Sequence, residues 1–311
     1  MRTLSRVLAT GAVAALSLIA LDLALDRQAQ ASAPERPTVV PWAPPAWHPS
    51  PEALDVVVAM DAEGRGAPLN LRSSTSFVYD VDAQEVHYAR GADEVRPVAS
   101  LTKYVSALAL ATERVDLDDV HCVDARFYPT RSGARSRFST GECYRGWDLL
   151  GSALVASDNR GAYGMVVQSG LRYDTFIQRM DEVSAELGMT MSSWADPSGL
   201  EDENLSTARD MTKAALAVAH HPVLSIAATA SSWEMQPVVG RRDRTLRATN
   251  RLLLRDDLEV LSGKTGYTDT AGYCFAGVVR TDDGRTLAVT VLGAPRSRDR
   301  WRDLDRIVSA F

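Results

Sequence analysis

The feature that most constrains the fold of this chain is the position of its strand-rich stretches at both ends, with helical stretches between them. Residues 77–82 and 85–88 are rich in aromatic and β-branched side chains, which predicts two strands around a short turn. Further β-rich runs occupy 258–261, 273–280 and 285–292. Asp282-Asp283-Gly284 joins the last two runs and is a hairpin signal.

The middle of the chain shows helical periodicity instead. Apolar residues recur at helical spacing over 100–115, and further helices are predicted over 147–155, over 175–187 and from 206 to Pro222. A last helix carries Trp301 and Leu304 on one face, which we expect to pack on the sheet. The order predicts an α/β (α+β) fold, with one antiparallel sheet built from both termini, flanking helices and a helical subdomain.

Charge and composition exclude several classes of protein. The chain has 311 residues, a net charge of −6 and 45% hydrophobic residues, so it has enough apolar material for a core. The acidic balance argues against a nucleic-acid partner, because such binding relies on excess cation. Only three of the 34 cationic side chains are Lys, namely Lys103, Lys213 and Lys264. Since Lys can lose its proton in a protein and Arg cannot, each Lys is a candidate for chemistry.

The N-terminus has the three parts of a secretory signal. Arg2 and Arg6 precede an apolar run over 7–20, and small residues around Ala31 fit a signal peptidase. The alternative is an uncleaved membrane anchor, but Asp22 and Asp26 shorten the apolar run. We therefore expect a signal peptide over 1–31, export to the periplasm or cell envelope of a bacterium, and no stable membrane anchor after cleavage.

A proline-rich stretch follows the signal. Seven of the 14 prolines fall within residues 34–51, which is typical of an extended tether without its own core. We therefore predict a linker over 32–54 and a single folded domain over 55–311.

Export makes a disulfide possible for this chain. Cys122 and Cys143 bracket a polar, Arg-rich segment and are predicted to pair, whereas Cys274 lies in an apolar strand and is expected to be a buried free thiol. The five His residues show no ligand spacing and there is no Cys-x-x-Cys, so no metal site is expected.

The first candidate for chemistry is Ser100-Leu101-Thr102-Lys103 at the start of a predicted helix. Residues three apart on a helix lie on the same face, and the positive end of the helix dipole favours an alkoxide. A neutral amine beside the hydroxyl can take its proton. Lys213, in a later predicted helix, is interpreted as a surface residue.

Two further short motifs follow along the chain. Ser157-Asp158-Asn159 comes after an apolar helical run, and Lys264-Thr265-Gly266 follows a predicted strand. Taken singly, the first is a loop or helix cap and the second is a strand end with a turn glycine. Taken together and in this order, the three motifs match the Ser-x-x-Lys, Ser-x-Asn and Lys-Thr-Gly set of penicillin-binding proteins and class A β-lactamases.

The resemblance extends beyond these motifs, from about residue 75 to the C-terminus. Asp196-Pro197-Ser198-Gly199-Leu200, Ser206-Thr207-Ala208-Arg209-Asp210-Met211 and Thr249-Asn250-Arg251-Leu252-Leu253 also resemble the low-molecular-mass D-alanyl-D-alanine carboxypeptidase family. The chain stops after its last helix, and in this it is similar to the compact DD-endopeptidase branch. The resemblance implies a β-lactamase/transpeptidase-like fold, peptidoglycan stem peptides as substrate and β-lactam antibiotics as covalent inhibitors.

The resemblance also implies a role for each motif residue. Ser100 would be the nucleophile and Lys103 the general base, while Ser157 and Lys264 would pass a proton to the leaving amine. Asn159 and the strand residues Thr265, Gly266, Tyr267 and Thr268 would bind the substrate, with the Ser100 and Tyr267 N–H groups as the oxyanion hole. No metal or organic cofactor is expected.

Several alternatives stay open at this point. The favoured function is that of a serine-type D-alanyl-D-alanine carboxypeptidase; the alternative is an endopeptidase that cleaves D-alanyl–diaminopimelate crosslinks. A class A-like β-lactamase would need a carboxylate to activate water, and Glu201 and Glu203 are the nearby candidates. A non-catalytic wall-binding protein is the last alternative. Asp158 departs from the small residue often found at its position, so it adds a negative charge near the site.

Overall fold

The computed structural model of the chain describes residues 69–127, 136–240 and 242–311. The predicted signal peptide and the predicted linker lie outside the described residues. None of the helices within these three ranges is both long and apolar enough to cross a bilayer.

One five-stranded antiparallel sheet organises the described chain. Its strand order is β2-β1-β11-β10-β9, so β1 from the start of the chain pairs with β11 from its end, with Thr75 opposite Leu292. This confirms the predicted sheet built from both termini. Its strands are β1 (Thr75–Asp80), β2 (Glu85–Arg90), β9 (Leu258–Thr268), β10 (Gly272–Thr281) and β11 (Thr286–Ala294).

Three short strand pairs support the loops around the sheet. They are formed by β3 (Arg96–Pro97) with β6 (Leu205–Ser206), β4 (Val120–Cys122) with β5 (Cys143–Arg145), and β7 (Ser232–Met235) with β8 (Arg244–Arg247). Cys122 lies opposite Cys143 in the second pair, and the two form a disulfide, as the sequence predicted. Cys274 is a buried free thiol in β10.

Seven helices of the described ranges cover the sheet and form the helical subdomain. Their bounds are α1 (Thr102–Thr112), α2 (Gly146–Val155), α3 (Asn159–Ser169), α4 (Tyr173–Glu186), α5 (Ala208–His220), α6 (Leu224–Thr229) and α7 (Ser297–Ala310). Short 3-10 turns span Ala99–Leu101, Ala125–Phe127 and Arg251–Leu254.

Both faces of the sheet are buried, which follows from the alternation of its side chains. On β1, Phe77 and Tyr79 join the core shared with the helical subdomain, while Val78 joins a second core with Trp301 and Leu304 of α7. Each fully buried apolar side chain of this size contributes about 1.5–3 kcal/mol. The C-terminal helix therefore packs on the sheet, as its apolar face predicted.

The structure corrects three details of the sequence interpretation. Lys213 is buried and not at the surface, because its amine donates to the Gly188 carbonyl and lies 3.6 Å from the Asp210 carboxylate. Strand β9 continues through Lys264 to Thr268, so that motif lies inside a strand and not at its end. Helix α3, which the periodicity did not predict, begins directly after Asp158.

A buried carboxylate attaches the start of the described chain to α7. Asp303 is fully buried and accepts hydrogen bonds from the backbone N–H groups of Arg72 and Ser73 and from the Ser73 hydroxyl, at 2.7–3.0 Å. Because these donors have lost water, they depend on this single carboxylate.

We expect Asp303→Asn to lower the free energy of unfolding by about 2 kcal/mol, since an amide nitrogen would face buried N–H donors. Urea denaturation checks this. Asp305→Asn is the matched control, because Asp305 lies on the same helix, its side chain is 60% exposed and its ion pair is with Arg255. The control should change stability by less than about 0.5 kcal/mol, and equal losses in the two variants would contradict the role given to Asp303.

Candidate active site

Ser100 lies where a tight turn enters the central helix. It is the middle residue of the 3-10 turn Ala99–Leu101, and α1 follows at once. Ala99 has a φ of +49°, a left-handed conformation that costs a non-glycine residue about 1–2 kcal/mol. The turn and the helix place Ser100 and Lys103 on one face, with 2.8 Å between Oγ and Nζ.

The Lys103 amine is completely buried and has three oxygen neighbours. Nζ lies 2.8 Å from Ser100 Oγ, 2.8 Å from Asn159 Oδ1 and 2.6 Å from the Ser198 carbonyl oxygen. A charged amine donates to all three. A neutral amine has two hydrogens, which the amide and carbonyl oxygens accept, so its lone pair faces the Ser100 hydroxyl. This arrangement fits a base that removes the Ser100 proton.

The Ser198 carbonyl is held in place by a buried aspartate. Asp196 accepts hydrogen bonds from the N–H groups of Ser198 and Gly199 and from the Asn204 side chain, at 2.6–3.0 Å. Gly199 has a φ of +80°, and a Cβ there would lie 1.9 Å from the Ala99 carbonyl oxygen. Only glycine therefore allows this loop to lie against the turn that carries Ser100.

The connection between α2 and α3 brings the second motif to the same place. Ser157 has a φ of +59°, and its Oγ accepts a hydrogen bond of 2.8 Å from Lys264 Nζ. Asp158 caps α3 by accepting from the N–H groups of Arg160 and Gly161. The added charge of Asp158 is thus used as a helix cap, and its carboxylate is 2% exposed.

The third motif lies on the edge strand of the sheet. Lys264 is fully buried, and its amine also donates to the Thr265 carbonyl at 2.9 Å. Thr265 donates to the Thr249 hydroxyl at 2.6 Å. A Cβ on Gly266 would lie 2.8 Å from the Val98 carbonyl oxygen, so this glycine allows β9 to approach the nucleophile turn closely.

Burial makes both amines easy to deprotonate. It lowers the pKa of Lys103 to about 8, against the attraction of the Asp196 and Asp158 carboxylates. Burial also lowers the pKa of Lys264 well below its ordinary value, and the neighbouring positive charges of Lys103 and Arg300 lower it further. The positive charge of Lys103 therefore favours the neutral form of Lys264, and this repulsion is absent when Lys103 is neutral.

The three motifs meet at one cleft with a volume of about 580 Å³. Seven of the predicted catalytic and binding residues line this cleft, namely Ser100, Ser157, Asn159, Thr265, Gly266, Tyr267 and Thr268. The other two, Lys103 and Lys264, are fully buried and do not line it. Tyr267 is half exposed and stacks on Tyr273 with 4.2 Å between ring centroids. Glu201 and Glu203, the carboxylates considered for a β-lactamase, are not among the lining residues.

A second cavity, of about 500 Å³, lies at the other end of α1. It is lined mainly by apolar side chains such as Leu110, Leu150 and Leu224, and none of the three motifs contributes to it. The chemistry is therefore confined to the first cleft. Among the residues that the structure describes, no cluster of three or more His, Cys, Asp or Glu side chains could hold a metal ion.

Sequence reasoning did not place two arginines in the lining of the cleft. Arg300 of α7 lines it and donates to the carbonyl oxygens of Gly266 and Cys274, at 3.3 and 3.0 Å. Arg137 also lines it, from the segment before α2. Neither residue carries a spacing signal, because each reaches the cleft only through the packing of distant elements.

Comparison with known proteins gives a consistent result. A model of the D-alanyl-D-alanine carboxypeptidase family (peptidase S11) matches residues 62–296. The chain is 30% identical to a D-alanyl-D-alanine endopeptidase of Escherichia coli, over 83% of each chain. It is 31% identical to a D-alanyl-D-alanine endopeptidase of Pseudomonas aeruginosa, over 82% of this chain and 84% of that one.

A solved structure has the same fold. Penicillin-binding protein D2 from Listeria monocytogenes, in a cefotaxime-bound form, superposes with a TM-score of 0.66 and 25% identity. The match covers 77% of this chain and 97% of that one. The chain therefore has the mixed helical and antiparallel-sheet fold of penicillin-binding proteins.

The scarcity of lysine allows the site to be titrated directly. With ¹³C-labelled lysine, we expect Lys103 to titrate near pH 8 and the pKa of Lys264 to rise in Lys103→Met, because a repelling charge is removed. NMR of the Cε resonances measures both values. Lys213→Arg assigns the third resonance without a change of charge. A Lys264 pKa that stays constant in Lys103→Met would show that the two amines are not coupled.

Proposed function

The chain belongs to the D-alanyl-D-alanine carboxypeptidase family, and we propose that it hydrolyses the peptide bond after D-Ala in peptidoglycan stem peptides through an acyl-enzyme on Ser100. It is a serine-type DD-peptidase with a penicillin-binding fold. The observation that carries the proposed mechanism is the contact of two buried lysine amines with two serine hydroxyls in one cleft.

Acylation begins with the neutral Lys103 amine. It takes the Ser100 proton while Oγ attacks the carbonyl carbon of D-Ala, and the N–H groups of Ser100 and Tyr267 receive the developing oxyanion. The close approach of Gly266 to the Ser100 turn supports this placement of the two N–H groups. The Asn159 and Ser198 oxygens keep the lysine lone pair directed at Ser100.

The leaving amine needs a proton before the bond can break. The Ser157 hydroxyl passes one to it and is re-protonated from the ammonium form of Lys264, which can hold a proton while Lys103 is neutral; Lys264 and Ser157 share a hydrogen bond of 2.8 Å. Lys103 then passes the proton that it took from Ser100 to Lys264, so both amines return to their starting forms. Water attacks the ester carbonyl, the neutral Lys103 accepts a water proton, and it delivers this proton to Ser100 Oγ as the ester C–O bond breaks. No step requires a group that these side chains do not supply.

Substrate binding uses the free edge of the sheet. Strand β9 is at the sheet edge, so its residues 264–268 can pair with an extended stem peptide as an added strand, opposite the Asn159 amide. In this proposal Thr265 and Thr268, which line the cleft, bind the carboxylate next to the scissile bond. Arg300, which supports the Gly266 carbonyl, adds positive charge at the same end.

A specific observation favours cleavage of crosslinks as the second candidate function. The two similar relatives described above are both endopeptidases, and each aligns over more than four-fifths of this chain. A terminal D-Ala and a crosslinked diaminopimelate both present a D-amino acid as leaving group, so the same four catalytic groups serve both bonds. The bond cleaved depends on the room beside the leaving group.

The location of this substrate supports export. Peptidoglycan is assembled outside the cytoplasmic membrane, and the predicted signal over 1–31 would deliver the chain there, to the periplasm or envelope. N-terminal sequencing of the mature protein tests the cut after Ala31.

We expect fluorescent penicillin to label the wild-type protein covalently and to leave Ser100→Ala unlabelled, because the β-lactam carbonyl is attacked by the same Oγ. Lys103→Met should slow labelling at least about 100-fold, as general bases contribute 10²–10⁴. Gel fluorescence measures both. Thr281→Ala, at the far end of β10, is the control and should label normally; an unlabelled wild type would refute the serine mechanism.

An assay with two substrates distinguishes cleavage of a terminal bond from cleavage of a crosslink. Incubation with pentapeptide monomers and with crosslinked dimers, followed by chromatography, should release free D-Ala from the former or monomers from the latter. Loss of both products in Ser100→Ala ties the cleavage to the site. Rapid turnover of the penicillin label would instead support the β-lactamase alternative.

The acylation rate should rise with pH. Lys103 must be neutral to act as base, and its pKa is lowered to about 8, so the rate should increase through this value and level off above it. Stopped-flow acylation by a β-lactam between pH 6 and 9.5 measures the profile, with circular dichroism to show that the fold is intact throughout. A rate that is constant across this range would contradict the role of Lys103.

A further inference from the structure

A short segment before α2 is attached to the middle residue of the second motif. Asp158 accepts hydrogen bonds from the Ser136 hydroxyl at 2.7 Å and from the Arg137 N–H at 2.8 Å, in addition to those from the first turn of α3. The carboxylate is 2% exposed, so these bonds are protected from water. One buried side chain thus joins residues 136–137 to the motif that carries Ser157 and Asn159.

The segment is also held on its other side. The Arg160 guanidinium donates to the Phe138 carbonyl, and the Phe138 ring packs edge-on against Tyr144 with 4.8 Å between centroids. Phe138 is 2% exposed. Residue 137 therefore lies between two anchored neighbours, and its position at the cleft is fixed by the fold.

Among the described charged residues that line the cleft, Arg137 is the one whose side chain is available to bind a ligand. It lines the cleft and is exposed, and its guanidinium has no ion pair with any described carboxylate. The other charged lining groups already support the walls. Asp202 accepts from the Thr270 hydroxyl, Asp269 accepts from the Tyr267 hydroxyl, and Arg300 donates to two carbonyl oxygens.

We propose that Arg137 is a specificity-determining residue that binds a free side-chain carboxylate of the stem peptide, and that Asp158 is the residue that positions it. The inference rests on the proposed function, which supplies the peptide in the cleft. A guanidinium is a planar fork of donors that matches a carboxylate. The carboxylate at the scissile bond has its own partners on β9, so Arg137, on the opposite wall beside Asn159, meets a different one.

Diaminopimelate, which directly precedes D-Ala in the stem peptide, carries such a group, because its side chain ends in an amine and a carboxylate. Lysine at the same position lacks the carboxylate, and an amidated diaminopimelate has lost its charge. Peptides that carry these three side chains therefore differ only in the chemical group that would face Arg137. The departure of Asp158 from a small residue then has a reason, since a small residue would leave residues 136–137 unattached.

The experiment compares three synthetic peptides ending in D-Ala-D-Ala that carry diaminopimelate, its side-chain amide or lysine before the D-Ala pair. For Arg137→Ala we expect kcat/KM to fall about tenfold for the first peptide, through KM, and less than about twofold for the other two. Arg137→Glu should reverse the order and favour lysine. Circular dichroism of both variants should match that of the wild type, which shows that the fold is intact.

Two further variants distinguish the effect of the Arg137 charge from the effect of its position. Arg285→Ala removes an exposed arginine at the opposite end of β10 from Tyr273, and should leave all three kcat/KM values unchanged. Ser136→Ala keeps the Arg137 charge but removes one anchor, so it should raise KM for the diaminopimelate peptide alone and by less than Arg137→Ala does.

The outcomes are distinct. Equal losses for all three peptides, or no loss for any, in Arg137→Ala would overturn the assignment. A wild-type protein that labels with penicillin and cleaves the three peptides equally would overturn it while leaving the proposed function intact. A wild-type protein that neither labels nor cleaves would refute the proposed function itself.

Discussion

The chemistry of this chain depends on an amine that has been taken out of water and surrounded by oxygen atoms. Lys103 Nζ is fully buried, and its three neighbours are a hydroxyl, an amide oxygen and a backbone carbonyl, none of which carries a full charge. Burying an ammonium group without a carboxylate in contact costs free energy, so burial favours the neutral form of the amine. The burial of this amine therefore supports the role of general base that is proposed for Lys103.

Each neighbour of that amine is supplied by a different part of the chain. Ser100 comes from the turn before α1, Asn159 from the first turn of α3, and the Ser198 carbonyl from a loop held by Asp196. The left-handed conformations of Ala99 and Ser157 are the backbone strain that this convergence requires. The burial of the surrounding core is large enough to hold both residues in place.

The sheet determines the position of the third motif, which lies on β9. β1 and β11 join the two ends of the folded chain in one open sheet, and the edge strand β9 of that sheet lies against the turn that carries Ser100. Lys264 is then placed next to Ser157 and close enough to Lys103 for the positive charge of Lys103 to lower the pKa of Lys264. On the opposite wall, the same motif that provides Ser157 and Asn159 also fixes Arg137 through Asp158. The residues proposed for catalysis and for substrate selection thus share one short connection between two helices.

The sequence alone determined the local features, because these depend on neighbours along the chain. Hydrophobic periodicity predicted the strands at both ends and helices α1, α2, α4, α5 and α7, and the spacing of Ser100 and Lys103 predicted their contact one turn apart. The pairing of Cys122 with Cys143 and the convergence of three motifs came from context and from resemblance to a family.

Tertiary structure decided what depends on contacts between distant residues. Lys213 was interpreted as a surface residue, yet packing buries it between α5 and the Gly188 carbonyl. The position of Arg300 at the cleft and the use of Asp158 as an anchor had no signal in spacing or composition, and the Arg-rich composition between Cys122 and Cys143 did not show that Arg137 would line the cleft. Such positions depend on how the helices and loops pack on the sheet, since a side chain's surroundings are set by elements far away in sequence.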